Sequence, residues 1–231
     1  MKKLQFKISL NLKSPQSFIN SSRKVLFNFV NLNTLWWVKN NPIYSRTISD
    51  KCNLFFPDSK VLSLLKGLKQ QRGPSFTKDF LMSNEARTKR HFFIGLEDLD
   101  LANLSKITNI SKKRLLAYNP PYIKGIEFSS DEINRIYSKI IKFKPDLIWV
   151  CVGSPKQEIL SNQLFKKYKS TYINIGAATD FLLKKKKEAP KIFQMMGLEW
   201  FYRLITDFKY SKTKVWRSFI ALNSLDLVKA K

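Results

Sequence analysis

The chain has 231 residues, 44% apolar and 13% aromatic, which is enough for one packed domain and far from the composition of a disordered chain. Its 42 Lys and Arg against 17 Asp and Glu leave a formal net charge of +25, so the expected partner is a large anion, either nucleic acid or an anionic membrane face. Cys52 and Cys151 lie outside any C-x-x-C pair, which excludes a disulfide framework and a cysteine-built zinc site, and no apolar run reaches the roughly eighteen residues of a spanning helix.

In chain order, residues 1–12 alternate lysine with Leu, Phe and Ile and lack the continuous apolar stretch of a signal peptide, so a cytoplasmic location is expected. Residues 25–30 read as a buried parallel strand, and 53–56 as a weaker one. Leucines at helical spacing predict a helix over 61–70. Strands are expected at 91–94 and, more weakly, at 115–118. A helix over 131–143 starts behind the N-cap candidates Ser129 and Ser130 and places Ile133, Ile136, Ile140 and Ile141 on one stripe. Strands at 147–152 and 172–175 follow. This alternation predicts an α/β fold, a mostly parallel sheet flanked by helices, with ligands at the carboxyl ends of the strands. Beyond about residue 190 the strands are expected to stop, and helical segments at 192–208 and 215–227 interleave basic residues with Trp, Phe and Tyr. The expected organisation is a core of residues 1–190 and a basic helical appendage of residues 191–231, with the boundary at Pro190.

Three turns carry candidate chemistry. Gly153-Ser154-Pro155-Lys156-Gln157-Glu158 leads a strand into a helix whose free N–H groups favour an anion, with Lys156 and Gln157 directed at the crevice; an ordinary capped turn fits the same residues. Gly176-Ala177-Ala178-Thr179-Asp180-Phe181 ends in a carboxylate that suits either a ribose hydroxyl or a helix cap. Phe55-Phe56-Pro57-Asp58 delivers a carboxylate at a strand end, as a desolvated general base or, again, a cap. His91, the single histidine, has no metal-ligand set or triad around it in sequence and reads as structural. The Lys184-Lys185-Lys186-Lys187 run reads as a solvated face or as part of a membrane-attracting surface.

Taken together, Pro145-Asp146-Leu147, Gly153-Ser154-Pro155-Lys156-Gln157-Glu158, Gly176-Ala177-Ala178-Thr179-Asp180-Phe181-Leu182, Ala189-Pro190 and Gly197-Leu198-Glu199-Trp200-Phe201-Tyr202-Arg203-Leu204 resemble the bacterial WecG/TagA/CpsF glycosyltransferases in order and spacing. Asn119-Pro120-Pro121-Tyr122 and Arg72-Gly73-Pro74 resemble further family segments upstream. The resemblance implies a Rossmann-like core and a basic C-terminal appendage that closes over the site at the membrane. It implies an inverting transfer of N-acetylmannosamine, its uronic acid or a related hexosamine from a UDP-sugar to a polyprenyl-diphosphate-linked sugar. The product would feed surface polysaccharide or teichoic acid assembly. No cofactor and no metal are expected.

On the same resemblance, Asp58 is the general base, Asn33 holds the sugar or diphosphate beside Asn31, which replaces a family Thr, and Gln157 bonds the transferred sugar. Gly153 and Lys156 line the donor site; Gly176 and Asp180 line the nucleotide pocket; Arg203, Lys209, Lys214 and Arg217 meet the lipid diphosphate or the departing UDP. The chain departs from the family pattern at Ser59, Leu183-Lys184, Glu188 and Asp207-Phe208-Lys209-Tyr210. Expected partners are the donor, the lipid-linked acceptor, an anionic inner membrane face and a possible second copy of the chain. Two other readings stand beside this one. Trp200, Phe201, Tyr202 and Trp216 among basic residues suit a nucleic-acid binder, and an inactive relative would bind nucleotide sugar or anionic lipid without transfer; the motif order favours the enzyme, with no nucleic acid expected.

Overall fold

The computed structural model describes residues 7–11 and 13–230, so most of the N-terminal stretch read above lies outside the described residues. Its strands are β1 (Ile8–Leu10), β2 (Leu26–Val30), β3 (Asn53–Pro57), β4 (His91–Ile94), β5 (Leu115–Tyr118), β6 (Leu147–Val150), β7 (Thr171–Asn174) and β8 (Val228–Ala230). They form one sheet in the order β5-β4-β6-β7-β2-β3-β1-β8, each neighbouring pair parallel. Around it run α1 (Gln16–Ile19), α2 (Leu32–Asn40), α3 (Pro42–Ile48), α4 (Lys60–Leu65), α5 (Gly73–Leu81), α6 (Asn84–Thr88) and α7 (Asp98–Thr108). The second half of the chain supplies α8 (Ser130–Phe143), α9 (Lys156–Lys167), α10 (Ala178–Leu182), α11 (Lys191–Met195), α12 (Glu199–Thr206) and α13 (Phe208–Ala221). The α/β, Rossmann-like architecture expected from the sequence is the one observed.

Because the sheet is covered on both faces, its central strands β4, β6 and β7 are buried at every position rather than at alternate ones. On one face Phe27, Phe56, Phe80, Phe93 and Trp149 pack together, the Phe93 and Trp149 rings stacked at 5.8 Å. On the other, Ile133, Ile136 and Ile140 of α8 and Leu160 and Leu164 of α9 cover Leu26, Phe92, Ile94, Ile148, Val150 and Tyr172. The Ser129 side chain accepts from the Glu132 N–H to start α8, and Lys144 in the left-handed region ends it. Ile141 leaves the expected stripe and faces solvent at 43% exposure.

Two further expectations fail. The strands do not stop at the appendage: β8 returns from it and pairs with β1, Ile8 opposite Val228. A three-residue edge strand has too few residues to show a period, and only its partner defines it. The helix expected over 61–70 ends at Leu65, ahead of Gly67 at φ +62°. The following loop returns instead to β3, where the Gln71 N–H donates to Pro57 O at 2.7 Å.

A buried row of amides locks the middle of the sheet. Asn174 of β7 donates to Asn28 Oδ1 of β2 at 2.8 Å, and Asn28 donates to Asn53 Oδ1 of β3 at 2.9 Å. Asn53 and Asn162 of α9 then exchange side-chain bonds at 3.1 and 3.3 Å. His91 is structural, as read: Trp149 Nε1 donates to its Nδ1 at 3.0 Å, its Nε2 lies 2.8 Å from Ala86 O, and it is fully buried. Burial holds its pKa at about 4. Because the unfolded imidazole takes its proton near 6.5, stability is expected to be full above that pH, to fall as pH drops toward about 4 and to level off below. Denaturant titrations between pH 7 and 3.5, alongside an NMR titration of the His91 ring, check this.

Candidate functional site

From β4 the chain steps outward to β5 and then returns to the other side of β4 at β6, so the connections at the carboxyl ends of β4 and β6 part and leave a crevice. Gly95, just beyond β4, has φ +102°, and a Cβ there would lie 3.1 Å from both the Cys151 carbonyl carbon and Val152 Cγ1, so only glycine lets the two connections approach. A cleft of about 270 Å³ opens beside them, lined by Gly95, Asn119, Tyr122, Val152 and Lys156 among others, and an adjoining hollow of about 330 Å³ is lined by Glu97, Tyr118, Asn119 and Lys139. Lys156 spans the cleft wall, its ammonium bonded to Ile123 O and 4.7 Å from the Tyr122 ring centroid.

The two glycine turns meet through one side chain. Gly153 has φ +81°, which lets the chain swing from β6 into α9. Gln157, buried in the first turn of α9, accepts the Gly176 N–H at 2.9 Å and donates to Glu158 Oε1 at 2.9 Å. Asp180 does not cap α10; Ala177 holds that position, and Asp180 pairs with Lys186 at 3.2 Å. Lys185 pairs with the buried Asp100 at 2.5 Å, so two of the four consecutive lysines, though still half exposed, are held by carboxylates.

At the carboxyl end of β3, Asp58 Oδ1 accepts the Gly73 N–H at 2.9 Å. Desolvation raises its pKa; the Gly73 N–H lowers it, Glu199 raises it, and Arg72 and Arg203 lower it. Gly73 and Pro74 open α5, and the preceding Arg72 reaches into the appendage. Its guanidinium donates to Gln194 Oε1 at 2.6 Å and to Glu199 Oε2 at 3.1 Å, with Glu188 at 3.7 Å. Across the β2 connection, Asn31 caps α2, accepting from the Thr34 N–H at 3.2 Å, so its side chain serves the helix. Asn33 is buried in the first turn of α2 and its Oδ1 has no hydrogen-bond partner among the described residues.

The appendage cations divide by role. Arg203 lies 4.9 Å above the Phe181 ring, within electrostatic reach of Asp58. Lys214 has a lowered pKa, first from desolvation and then from Arg203, Lys186 and Arg217, against Asp207. Arg217 instead docks α13 on α2, 4.2 Å from the Trp36 ring and 4.8 Å from Trp37. Lys209 is exposed. The structure thus brings Asp58 within electrostatic reach of Arg203 and Glu199, and joins the Gly153, Gln157 and Gly176 turns. It assigns Asn31 and Arg217 to helix capping and helix docking. Arg72 and Gly95 were given no role from the sequence, although Arg-Gly-Pro before a helix and a glycine after an apolar strand were both visible there.

The carboxyl edge of the parallel sheet thus carries a cleft at the switch point, the Asp58 carboxyl and the cations of the last helices. Residues 8–224 match the glycosyl transferase WecG/TagA/CpsF family, and the chain belongs to it. It is a glycosyltransferase of polysaccharide biosynthesis, a family whose members use a nucleotide-sugar donor and a lipid-linked acceptor. Among the described residues no helix is long and apolar enough to cross a membrane.

The raised pKa of Asp58 has a consequence for stability. A carboxylate whose folded pKa exceeds its unfolded value loses stability as pH rises through the folded pKa. Asp58→Asn, which keeps an oxygen for the Gly73 N–H, is expected to raise Tm by a few degrees at pH 7–8 and to match the parent below the ordinary Asp range, as read by thermal unfolding across that window.

Proposed function

We propose that the enzyme moves an N-acetylhexosamine-type sugar, N-acetylmannosamine, its uronic acid or a relative, from UDP to a polyprenyl-diphosphate-linked sugar with inversion. The observation that carries this reading is Asp58: a desolvated carboxylate fixed by the Gly73 N–H, with Arg203 from the appendage beside it. Asp58 takes the proton of the acceptor hydroxyl as that oxygen bonds to the anomeric carbon. The bond from the anomeric carbon to the UDP oxygen breaks, and its electron pair leaves with UDP. One base suffices for a single displacement.

The remaining assignments follow from charge and position. The crevice beside Gly95, Asn119, Tyr122 and Lys156 takes the nucleotide end of the donor, and the α9 N-terminus faces its diphosphate. Asn33 holds the sugar through the Oδ1 that has no partner of its own. Arg203, Lys209 and Lys214 take the acceptor diphosphate or stabilise the departing UDP.

The appendage is also the surface that would rest on the cytoplasmic face of the membrane. Ile205, Phe208 and Trp216 are largely exposed on α12 and α13, with Lys209 and Lys212 among them. Exposed apolar side chains set among lysines suit an anionic lipid surface.

Label transfer from a panel of UDP-N-acetylhexosamines and their uronic acids to a soluble polyprenyl-diphosphate-sugar analogue tests the reaction. Asp58→Asn is expected to lower the rate by about 10²–10⁴ while UDP binding persists. No transfer from any donor by a folded, UDP-binding protein would overturn the reading. For the membrane, sedimentation with phosphatidylglycerol vesicles is expected to weaken as salt rises. Lys209→Gln should weaken it about fivefold and Trp216→Ser further; binding to neutral vesicles of equal strength would refute the electrostatic part.

A further inference from the structure

Glu158 has no role in the reaction just described, yet its carboxyl is buried at the centre of the site's scaffold. Its Oε1 accepts the Gln157 Nε2–H at 2.9 Å. That bond decides which way the Gln157 amide faces. With the nitrogen turned to Glu158, the carbonyl oxygen is turned to the Gly176 N–H, which it accepts at 2.9 Å; the same N–H lies 3.3 Å from Val150 O, so Gln157 is the nearer acceptor. A flipped amide would set its NH₂ against the Gly176 N–H, donor against donor, and leave its oxygen facing a carboxylate.

The surroundings set the electrostatics of Glu158. Burial raises its pKa, while the bond from Gln157, the nearby Ser154 hydroxyl and the Lys214 ammonium lower it. Tyr44 of α3, itself fully buried, is within electrostatic reach of the same carboxyl. Glu158 Oε2, Ser154 Oγ and Tyr44 OH are all buried without a hydrogen bond of ordinary geometry, so Oε1 carries the carboxylate's only side-chain bond among the described residues. An acceptor with one partner is a directional device, and removing it frees the amide to turn.

We infer that Glu158 is a positioning residue: it orients the Gln157 amide so that this side chain clamps the turn after β6 to the turn after β7. Its catalytic consequence rests on the glycosyltransferase reading above, but the clamp itself does not.

The test is therefore read first without activity. Amide hydrogen exchange by NMR on the full chain is expected to show Gly176 protected in the parent. In Glu158→Leu, Gly176 should exchange about tenfold faster while the β7 amides keep their protection. Glu158→Gln, which still offers an oxygen to Gln157, should restore it. In the transfer assay Glu158→Leu should lower kcat/KM about tenfold, and the double variant Gln157→Ala with Glu158→Leu should be no slower than Gln157→Ala alone, because Glu158 acts only through Gln157. Unchanged Gly176 exchange in Glu158→Leu, loosening spread over the whole of β7, or additive effects in the double variant would overturn the clamp. A parent that transfers nothing would defeat the glycosyltransferase reading and leave the exchange result to decide the clamp.

Discussion

The Arg72 guanidinium is the junction on which the site depends. Its planar fork donates to Gln194 of α11 and Glu199 of α12, and Glu188 sits 3.7 Å away. The next residue, Gly73, holds Asp58 with its backbone N–H. One turn of chain therefore fixes both the Asp58 carboxyl and the seat of the appendage over it. In a protein of net charge +25 the scarce acids matter by placement, and two of the seventeen are spent on this guanidinium. Lysine there would keep the charge but lose the two-nitrogen fork that reaches both helices.

The sheet supports that junction from beneath through the amide row Asn174, Asn28, Asn53 and Asn162. Buried amides have to find partners, and a register slip between β7, β2 and β3 would leave several without any. The row also reaches α9, whose Asn162 donates to the Glu158 carbonyl at 2.8 Å, so the helix that presents Lys156, Gln157 and Glu158 is set by the strands it covers. At the far edge, β8 pairs with β1 and Arg217 lies on Trp36 and Trp37. Cation–π contacts of this kind contribute about 0.5–2 kcal/mol each. The appendage is thus held at its start by Arg72, in its middle by the tryptophans and at its end by a strand.

The sequence by itself determined the core strands, the parallel α/β class, the places of the three turns and the family. These rest on local properties: unbroken apolar runs at 25–30, 91–94 and 147–152, a Ser-capped helix at 131–143, and motifs whose spacing is a property of one dimension. What only the tertiary structure decided is which polar side chains are already occupied. Asn31 reads like Asn33 in sequence, but one caps a helix and the other keeps a buried oxygen without a partner. Arg217 reads like Arg203, but it lies on two tryptophans. β8 is a strand because β1 is there to pair with it, and Arg72 matters because residues 116 to 127 positions further along fold back to meet it. Hydrogen bonds, ion pairs and edge-strand pairing between distant segments are contacts in space, and a one-dimensional pattern carries no signal for a partner that only folding supplies.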